Sequence, residues 1–422
     1  MSLKKINLVA IDMGYGHQRA AYPLLDLAGG EILSMNDYPQ MPAWERRYWQ
    51  NNLALYEKIS RFKKIPILGK IVFSIMDHFQ RIKPFYPFRD LSKPSWQQLT
   101  FLRAIKKGLG KDLMDTLSSN GLPLVTTFFV AAYAADYHGY KGDVYCVVCD
   151  TDISRAWAPI WPKKSRTKFL VPSDRVKTRL LMYGVKQENI IVSGFPLPKE
   201  NIGENKEILL KDLGQRLLRL DPRGEESSYY KNIPSLDLKA HTSNNSGITL
   251  TFAVGGAGAQ AEIGAMIVNK LAKLLRQGDL RLNLVAGSRP EVKDFFSRAI
   301  QENDLTDCRN VKIIFAPSKL EYFQEFNKCL RTTDVLWTKP SELSFYCALG
   351  LPIIISEPVG SQEDFNREWL LSVGAGLDSL AVENIEEWWV DLLNSGRLAR
   401  AAVDGFLNAE SAGVYNIEKN LK

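Results

Sequence analysis

The sequence predicts an α/β protein made of two Rossmann-like, doubly wound domains that face one another across a cleft. Apolar runs of buried-strand length alternate with helix-length segments along most of the 422 residues, and this alternation is typical of parallel sheets covered on both faces. The strand, glycine turn and helix that open the chain recur after a weakly patterned middle segment, which favours two such units over one. The chain length also exceeds the usual size of a single domain.

The first half supplies an N-terminal domain, which we place at residues 1–196. It opens with an apolar run over 5–11, a glycine turn, and a helix that the pattern predicts over 18–27. Further apolar runs predict strands at 122–129, 143–149, 168–171 and 189–193. An insertion at 41–111 interrupts this domain.

The second half is predicted to repeat this organisation as a C-terminal domain at 247–400. The apolar rhythm weakens over 197–246, which we interpret as a linker or surface insertion. The pattern then restarts with a strand at 248–254, a glycine turn and a helix at 261–276, and further strands are predicted at 282–286, 311–315, 334–338 and 352–356. A terminal helix is predicted over 401–422.

Composition excludes several classes of protein. With 45% hydrophobic and 24% charged residues the chain is globular and not disordered. It has neither an apolar run of membrane-spanning length nor a signal-peptide core, so we expect a cytoplasmic location. The five cysteines are odd in number and lie in apolar segments, which predicts reduced, buried thiols. The histidines and cysteines lack metal-ligand spacing, so no metal is expected.

In each half, one glycine turn follows the first predicted strand. These turns are Gly14-Tyr-Gly-His17 and Gly255-Gly-Ala-Gly258. Such turns let backbone amides approach a phosphate at a helix start, although a tight turn without a ligand is an equally good interpretation. Neither turn matches the dinucleotide or P-loop pattern. His17 stands at a helix start, where a neutral imidazole suits a general base or an oxyanion donor; the alternative is a solvated or capping histidine.

The insertion 41–111 concentrates fifteen basic residues against four acidic ones, together with twelve aromatic residues. Lysine and arginine mixed with interfacial aromatics suit an element lying on an anionic membrane, and the best candidates are 62–79 and 84–88. A plain basic surface is the main alternative. No nucleic-acid module is recognisable, so nucleic acid is not expected as a partner.

A series of motifs resembles one group of enzymes. Gly14-Tyr-Gly-His-Gln-Arg-Ala-Ala21 is similar to the signature that opens the monogalactosyldiacylglycerol synthases, the processive diacylglycerol glucosyltransferases and the peptidoglycan N-acetylglucosaminyltransferase. The resemblance continues in order along the chain with Val147-Val-Cys-Asp150, Trp157, Val171-Pro-Ser173, Gly194-Phe-Pro196, Gly255-Gly-Ala-Gly258, Thr338-Lys-Pro340, Ala348-Leu-Gly-Leu-Pro352 and Glu357-Pro-Val-Gly-Ser-Gln-Glu363.

This resemblance implies a glycosyltransferase of GT-B architecture. Such an enzyme moves a hexose, with inversion, from a nucleotide diphosphate sugar, expected to be UDP-linked, to a hydroxyl of a membrane-associated lipid or glycolipid. The N-terminal domain would bind the acceptor and the C-terminal domain the donor, with no metal or other cofactor. The terminal helix at 401–422 would cross back to the first domain, as in the resembled enzymes. The protein would attach peripherally to the inner face of the membrane through 41–111.

The resemblance also assigns residues to roles. Two alternatives for the general base are His17 and Asp150. On the acceptor side it implies Gly14, Gly16 and Trp157. The residues that it implies at the donor are Gly255, Gly256, Gly258, Gln260, Lys339, Ser341, Glu342, Gln362, Glu363 and Asn366.

The chain departs from the resembled enzymes at the ribose of the donor. Counted back from Pro352, the place of their ribose-binding glutamate is taken by Phe345, and Glu342 lies three residues earlier. A histidine expected between Asp150 and Trp157 is replaced by Ser154. Two other functions therefore stay open: a degenerate protein that binds a nucleotide sugar or a partner without transfer, and a nucleotide-sugar epimerase or hydrolase of the same fold.

Overall fold

The computed structural model describes residues 5–62, 82–87, 89–234, 236, 238, 247–255, 258, 260–358 and 361–421. It divides into two compact units. Unit 1 comprises Met1–Pro196, Gly360–Phe365 and Ala412–Lys422, and unit 2 comprises Leu197–Val359 and Asn366–Ser411. The stretch 62–79 that the sequence nominates for membrane contact lies almost entirely outside the described residues.

Unit 1 contains a six-stranded parallel sheet in the order β2-β1-β3-β4-β5-β6. Apolar residues fill its central strands because both faces are covered, so neither face needs polar side chains. The strands are Asn7–Ala10 (β1), Leu33–Ser34 (β2), Leu124–Thr126 (β3), Val144–Val147 (β4), Lys168–Val171 (β5) and Ile190–Val192 (β6).

Helices surround this sheet. They are Gly16–Ala21 (α1), Ala43–Phe62 (α2), Trp96–Lys106 (α3), Lys111–Ser118 (α4), Phe129–His138 (α5) and Asp174–Met182 (α6). The helix predicted over 18–27 is shorter than expected: α1 ends at Ala21 and a 3₁₀ turn over Tyr22–Leu24 follows. The cause is Pro23, which lacks the N–H that continues an α-helix.

Unit 2 contains a second six-stranded parallel sheet in the order β12-β11-β10-β7-β8-β9. Its strands are Ile248–Ala253 (β7), Leu280–Gly287 (β8), Val311–Phe315 (β9), Val335–Thr338 (β10), Ile353–Ile355 (β11) and Gly376–Asp378 (β12). The order reverses direction at β7, as in doubly wound sheets. The predicted α/β class with two Rossmann-like sheets is confirmed.

The helices of unit 2 follow the alternation that the sequence predicts. They are Glu207–Leu220 (α7), Ser227–Tyr230 (α8), Ala261–Lys270 (α9), Ala272–Gln277 (α10), Pro290–Glu302 (α11), Lys319–Leu330 (α12), Ser361–Ser372 (α13), Ile385–Asn394 (α14) and Arg397–Asn408 (α15), and a 3₁₀ helix spans Glu342–Leu349. Helix α13 begins in the part of the chain assigned to unit 1 and continues in unit 2.

The interpretation of 197–246 as a linker or surface insertion is wrong for 207–220. Helix α7 belongs to unit 2 and buries four leucines at helical spacing, Leu209, Leu213, Leu217 and Leu220. Leucines four, four and three residues apart lie on one face of a helix, so this segment packs into the core of unit 2.

The single terminal helix predicted over 401–422 is two helices. Helix α15 belongs to unit 2, whereas Gly413–Asn420 (α16) belongs to unit 1. The start of α16 depends on a close backbone approach, since a Cβ on Gly413 would lie 2.1 Å from the carbonyl oxygen of Phe195. Glycine is the residue that permits this contact.

Candidate functional site

In unit 1, two polar residues that the sequence singled out, His17 and Asp150, lie at the carboxyl ends of neighbouring strands together with Thr127, which the sequence did not single out. His17 follows β1 at the start of α1, Thr127 follows β3, and Asp150 follows β4. Strands β1, β3 and β4 are adjacent in the sheet. The carboxyl edge of an open parallel sheet is where ligands of this fold class bind, and the fold thus brings His17 and Asp150 to one edge.

The imidazole of His17 is fixed by hydrogen bonds and aromatic packing. Its Nδ1 bonds to the backbone carbonyl oxygen of Thr127, and the Thr127 hydroxyl donates to the carbonyl oxygen of His17 at 2.9 Å. The ring lies 5.9 Å from the ring of Trp157 and meets that of Phe128 edge-on at 5.4 Å. Because a carbonyl oxygen only accepts, Nδ1 carries the proton in the neutral ring and Nε2 carries the lone pair.

Asp150 sits on a loop that a buried ion pair holds in place. Its Oδ2 accepts a hydrogen bond from Gln362 Nε2 at 2.8 Å. Two residues later, the fully buried carboxylate of Asp152 accepts from Arg179 Nε and Nη2, both at 2.8 Å, and from Arg175 Nε at 2.9 Å. A bidentate arginine–carboxylate pair fixes orientation as well as charge, so the loop that presents Asp150 has a rigid anchor.

The other predicted acceptor-side residues flank His17. Gly14 has φ +121°, a backbone conformation that side chains rarely adopt, and Gly16 is the first residue of α1. Trp157 is buried in a 3₁₀ turn and packs on His17 and on Phe129, whose ring lies 5.5 Å away. Gly14 and Gly16 thus precede His17 in the turn, and Trp157 packs on its imidazole ring.

In unit 2, two cationic side chains lie against the glycine turn that follows β7. A Cβ on Gly255 would lie 2.5 Å from Lys339 Cε and 3.4 Å from its Nζ. A Cβ on Gly258, which has φ +70°, would lie 3.4 Å from Arg289 Cδ. Lys339 therefore lies against Gly255, and Arg289 lies against Gly258. Gly256 lies outside the described residues.

Arg289 was missed by the sequence reasoning. It follows β8, the strand next to β7, and its guanidinium lies 3.3 Å from Glu291 in the first turn of α11. The signal was present, because a basic residue three positions beyond the predicted strand 282–286 lies at the carboxyl edge of the sheet. Its distance along the sequence from the glycine turn concealed the contact.

The remaining donor-side candidates in unit 2 surround the loops after β7 and β10. Gln260 has φ +68° before α9, and its Nε2 donates to the carbonyl oxygen of Glu357 at 3.0 Å. Ser341 caps the 3₁₀ helix that Glu342 begins, accepting from Leu343 N at 3.5 Å. The buried amide of Asn366 donates to the carbonyl oxygen of Pro340 at 3.4 Å. Asn366 therefore supports the loop that carries Lys339 and Glu342.

Two of the predicted donor residues belong to the other unit. Gln362 and Glu363 fall in the segment assigned to unit 1, where Gln362 bonds to Asp150. Phe345, in the place of the expected ribose-binding glutamate, is buried and packs 5.1 Å from the ring of Trp369. An aromatic ring in that position accepts no hydrogen bond from a ribose hydroxyl, so a ribose contact would need another residue.

The chain is similar to several known proteins. The family model described as "Domain of unknown function (DUF6938)" matches residues 288–420. A processive diacylglycerol β-glucosyltransferase of Bacillus subtilis is 24% identical over 56% of this chain and 51% of its own length. The chain thus spans about half of that relative. The corresponding Bacillus pumilus protein is 22% identical over 92% of this chain and 87% of its own length.

Solved structures show the same fold. MurG from Acinetobacter baumannii aligns with a TM-score of 0.52 at 12% identity, covering 99% of both chains. A candidate UDP-N-acetylglucosamine 2-epimerase from Listeria monocytogenes aligns with a TM-score of 0.51 at 12% identity, covering 100% of this chain and 97% of that one. The fold therefore defines a protein of GT-B architecture. The predicted resemblance to the processive diacylglycerol glucosyltransferases is confirmed.

Proposed function

We propose that the protein transfers a hexose from a nucleotide diphosphate sugar, expected to be UDP-linked, to a hydroxyl of a membrane-associated lipid, with inversion. The observation that carries this proposal is the placement of Lys339 and Arg289 against Gly255 and Gly258. A diphosphate is a compact dianionic group, and it is recognised by backbone amides together with cationic side chains. The names of the relatives, which act on diacylglycerol, support a lipid acceptor.

Two cations at the glycine turn supply what the leaving group needs. The bond from the anomeric carbon to the diphosphate breaks as the acceptor oxygen attacks, and negative charge develops on the departing diphosphate. Lys339 and Arg289 would stabilise that charge, together with the backbone amides of the turn. In this proposal no step needs a bound metal ion.

The tautomer of His17 supports its assignment as the general base. Since Nδ1 bonds to the Thr127 carbonyl, Nε2 is the nitrogen able to take the proton of the acceptor hydroxyl. The proton passes from that hydroxyl to Nε2 as the new glycosidic bond forms, and it leaves later to solvent. Asp150, which accepts from Gln362, would orient the acceptor or stabilise the imidazolium.

Exposed aromatic residues support peripheral attachment of unit 1 to a membrane. Among the described residues, its exposed aromatics are Trp44, Tyr86, Trp96, Tyr137 and Trp161, whereas unit 2 exposes only Tyr229. Aromatic rings at the water interface, combined with the basic residues of 41–111, suit an anionic bilayer. No helix within the described ranges is both long and apolar enough to cross a membrane. We place the protein on the cytoplasmic face.

Calorimetric titration with UDP tests the donor site. We expect micromolar affinity, about −8 kcal/mol, with much weaker binding of ADP, GDP and NAD. Arg289→Ala should weaken UDP about tenfold, because a charge-assisted hydrogen bond is lost. Lys273→Ala removes an exposed charge from α10, away from the glycine turn, and should leave UDP binding unchanged. If no nucleotide binds, the transferase proposal is wrong and the alternative of a degenerate protein that binds only a partner is favoured.

A second assay separates transfer from the other activities. The protein is incubated with UDP-glucose and diacylglycerol in anionic vesicles, and glycolipid and free sugar are measured. His17→Ala should reduce transfer by about a hundredfold or more with unchanged UDP affinity. Sugar conversion or release without glycolipid would identify an epimerase or hydrolase.

A flotation experiment with anionic vesicles tests the membrane contact. We expect the protein to float with the vesicles at low salt and not at high salt.

A further inference from the structure

Unit 1 contains a cavity that none of the candidate site residues lines. It encloses about 310 Å³ between α3, α5 and the segment 159–166, a volume within the range of small-molecule sites. The residues that line it are Leu102, Ile105, Tyr133, Asp136, Tyr137, Pro159, Ile160, Trp161, Lys164, Ser165 and Arg166.

The walls of this cavity are mainly apolar. Leu102 and Ile105 on α3 and Ile160 on the facing segment are all buried. Two aromatic residues, Tyr137 and Trp161, line it and are also 43% and 49% exposed, so they stand at its mouth. An aliphatic chain gains by leaving water for such walls.

The charged side chains that line the cavity have a formal net charge of +1. Lys164 and Arg166 line it and are exposed, and Asp136 is the acid that faces them. The Asp136 carboxylate already accepts from Ser165, and Arg166 is occupied with the carbonyl oxygen of Tyr140 at 2.8 Å. Burial raises the pKa of Asp136. Lys164 is therefore the cation suited to an outside anion, with exposed Lys163 beside it.

We infer that this cavity binds the acyl chain of an anionic amphiphile, whose head group lies on Lys164. The inference is independent of the donor site, because the cavity and the glycine turn belong to different units. Two sources share this chemistry: a monomeric fatty acid, and one chain of an anionic bilayer lipid. In either case the site is separate from the hydroxyl-bearing acceptor at His17.

Calorimetry with laurate below its micelle concentration tests the site in the full chain. We expect saturable binding of one laurate, much weaker binding of dodecyltrimethylammonium, and none of acetate. Lys164→Ala should weaken laurate about fivefold. Lys111→Ala, an exposed lysine of unit 1 that does not line the cavity, should have no effect. Equal affinity for the cationic amphiphile would overturn the assignment of the head group.

A variant whose cavity is filled by a larger side chain distinguishes binding in the cavity from adsorption to the protein surface. Ile160→Trp should reduce laurate affinity at least about tenfold, with thermal melting and UDP titration as checks that the protein is folded. If Ile160→Trp also weakens flotation with phosphatidylglycerol–phosphatidylcholine vesicles relative to the native protein, the occupant is a bilayer lipid. If flotation, to which 41–111 contributes in either case, is the same in the variant and the native protein, the occupant is a monomeric amphiphile. A folded Ile160→Trp variant that binds laurate like the native protein would refute the inference.

Discussion

Replacing Gly255 by alanine tests the link between the glycine turn and Lys339. The added Cβ would lie 2.5 Å from Lys339 Cε and 3.0 Å from its Cδ, well inside the 3.5–4.0 Å at which carbon atoms attract. Lys339 must then move by about 1 Å or more. Its flexible chain allows this at small cost, and Gly255 is not among the residues with positive φ. The free energy of unfolding should change by less than about 1 kcal/mol.

Binding of UDP should respond strongly to the same change. Displacing the ammonium group removes a charge-assisted hydrogen bond worth about 1.5–3 kcal/mol, equivalent to about 10- to 150-fold in the dissociation constant. Lys339→Ala should weaken UDP to a similar extent. On that background, Gly255→Ala should add little, because two changes that remove one interaction are not additive. Calorimetry on the four proteins of this cycle measures the coupling.

A second glycine provides the control for the backbone. Gly278 ends α10 with φ +82°, and a Cβ there would have its nearest neighbour, Asn310 Nδ2, at 3.7 Å. Gly278→Ala should therefore lose about 1 kcal/mol of stability through backbone strain and keep its UDP affinity. The reasoning fails if Gly255→Ala binds UDP as the native protein does while Lys339→Ala weakens it tenfold.

Three further predictions concern the anchor of the Asp150 loop, the ribose contact and a buried acid. Asp152→Ala should cost about 3–5 kcal/mol in the free energy of unfolding, because it leaves Arg179 buried without its partner; a loss below 1 kcal/mol by denaturant melts would contradict this. Glu342→Ala should weaken UDP but not inorganic diphosphate, since only the former carries a ribose; equal weakening would rule out a ribose contact. Burial raises the pKa of Glu45, so the stability it contributes is present below its unfolded pKa and is lost as pH rises through the folded value. The melting temperature of Glu45→Gln minus that of the native protein should therefore become more positive between about pH 4 and pH 7. A difference that does not change with pH would contradict this prediction.

The strands that the sequence predicted are those with continuous apolar runs. Lys168–Val171 and Val311–Phe315 have the predicted bounds, and the other predicted strands differ by a few residues at their ends. The two strands that were missed, Leu33–Ser34 and Gly376–Asp378, pair with one neighbour each at a sheet edge. They have two or three residues and are only partly buried. An edge strand of this length has no apolar run by which to recognise it.

The candidate site was predictable only where sequence position implies strand position. His17, Asp150 and Lys339 each directly follow a predicted strand or its turn, so the topology brings them to a sheet edge. Contacts between distant loops, such as that between Gly258 and Arg289, depend on the order of strands within the sheet. The anchoring role of Asp152 was hidden too, because its partners Arg175 and Arg179 lie more than twenty residues away on α6.

The geometry of the segment after β10 supports Glu342 as the ribose contact despite its displaced sequence position. Residues Glu342–Leu349 form a 3₁₀ helix, in which side chains three positions apart lie on the same face. Glu342 therefore shares a face with Phe345 and stands one turn, about 6 Å, closer to the carboxyl end of β10. Phe345 is buried against Trp369, whereas Glu342 is half-buried at the start of the helix. Glu342 is three residues from Lys339 along the chain, whereas Phe345 is six residues away. The departure at Phe345 is thus compatible with a nucleotide site in which the ribose contact has shifted by one 3₁₀ turn.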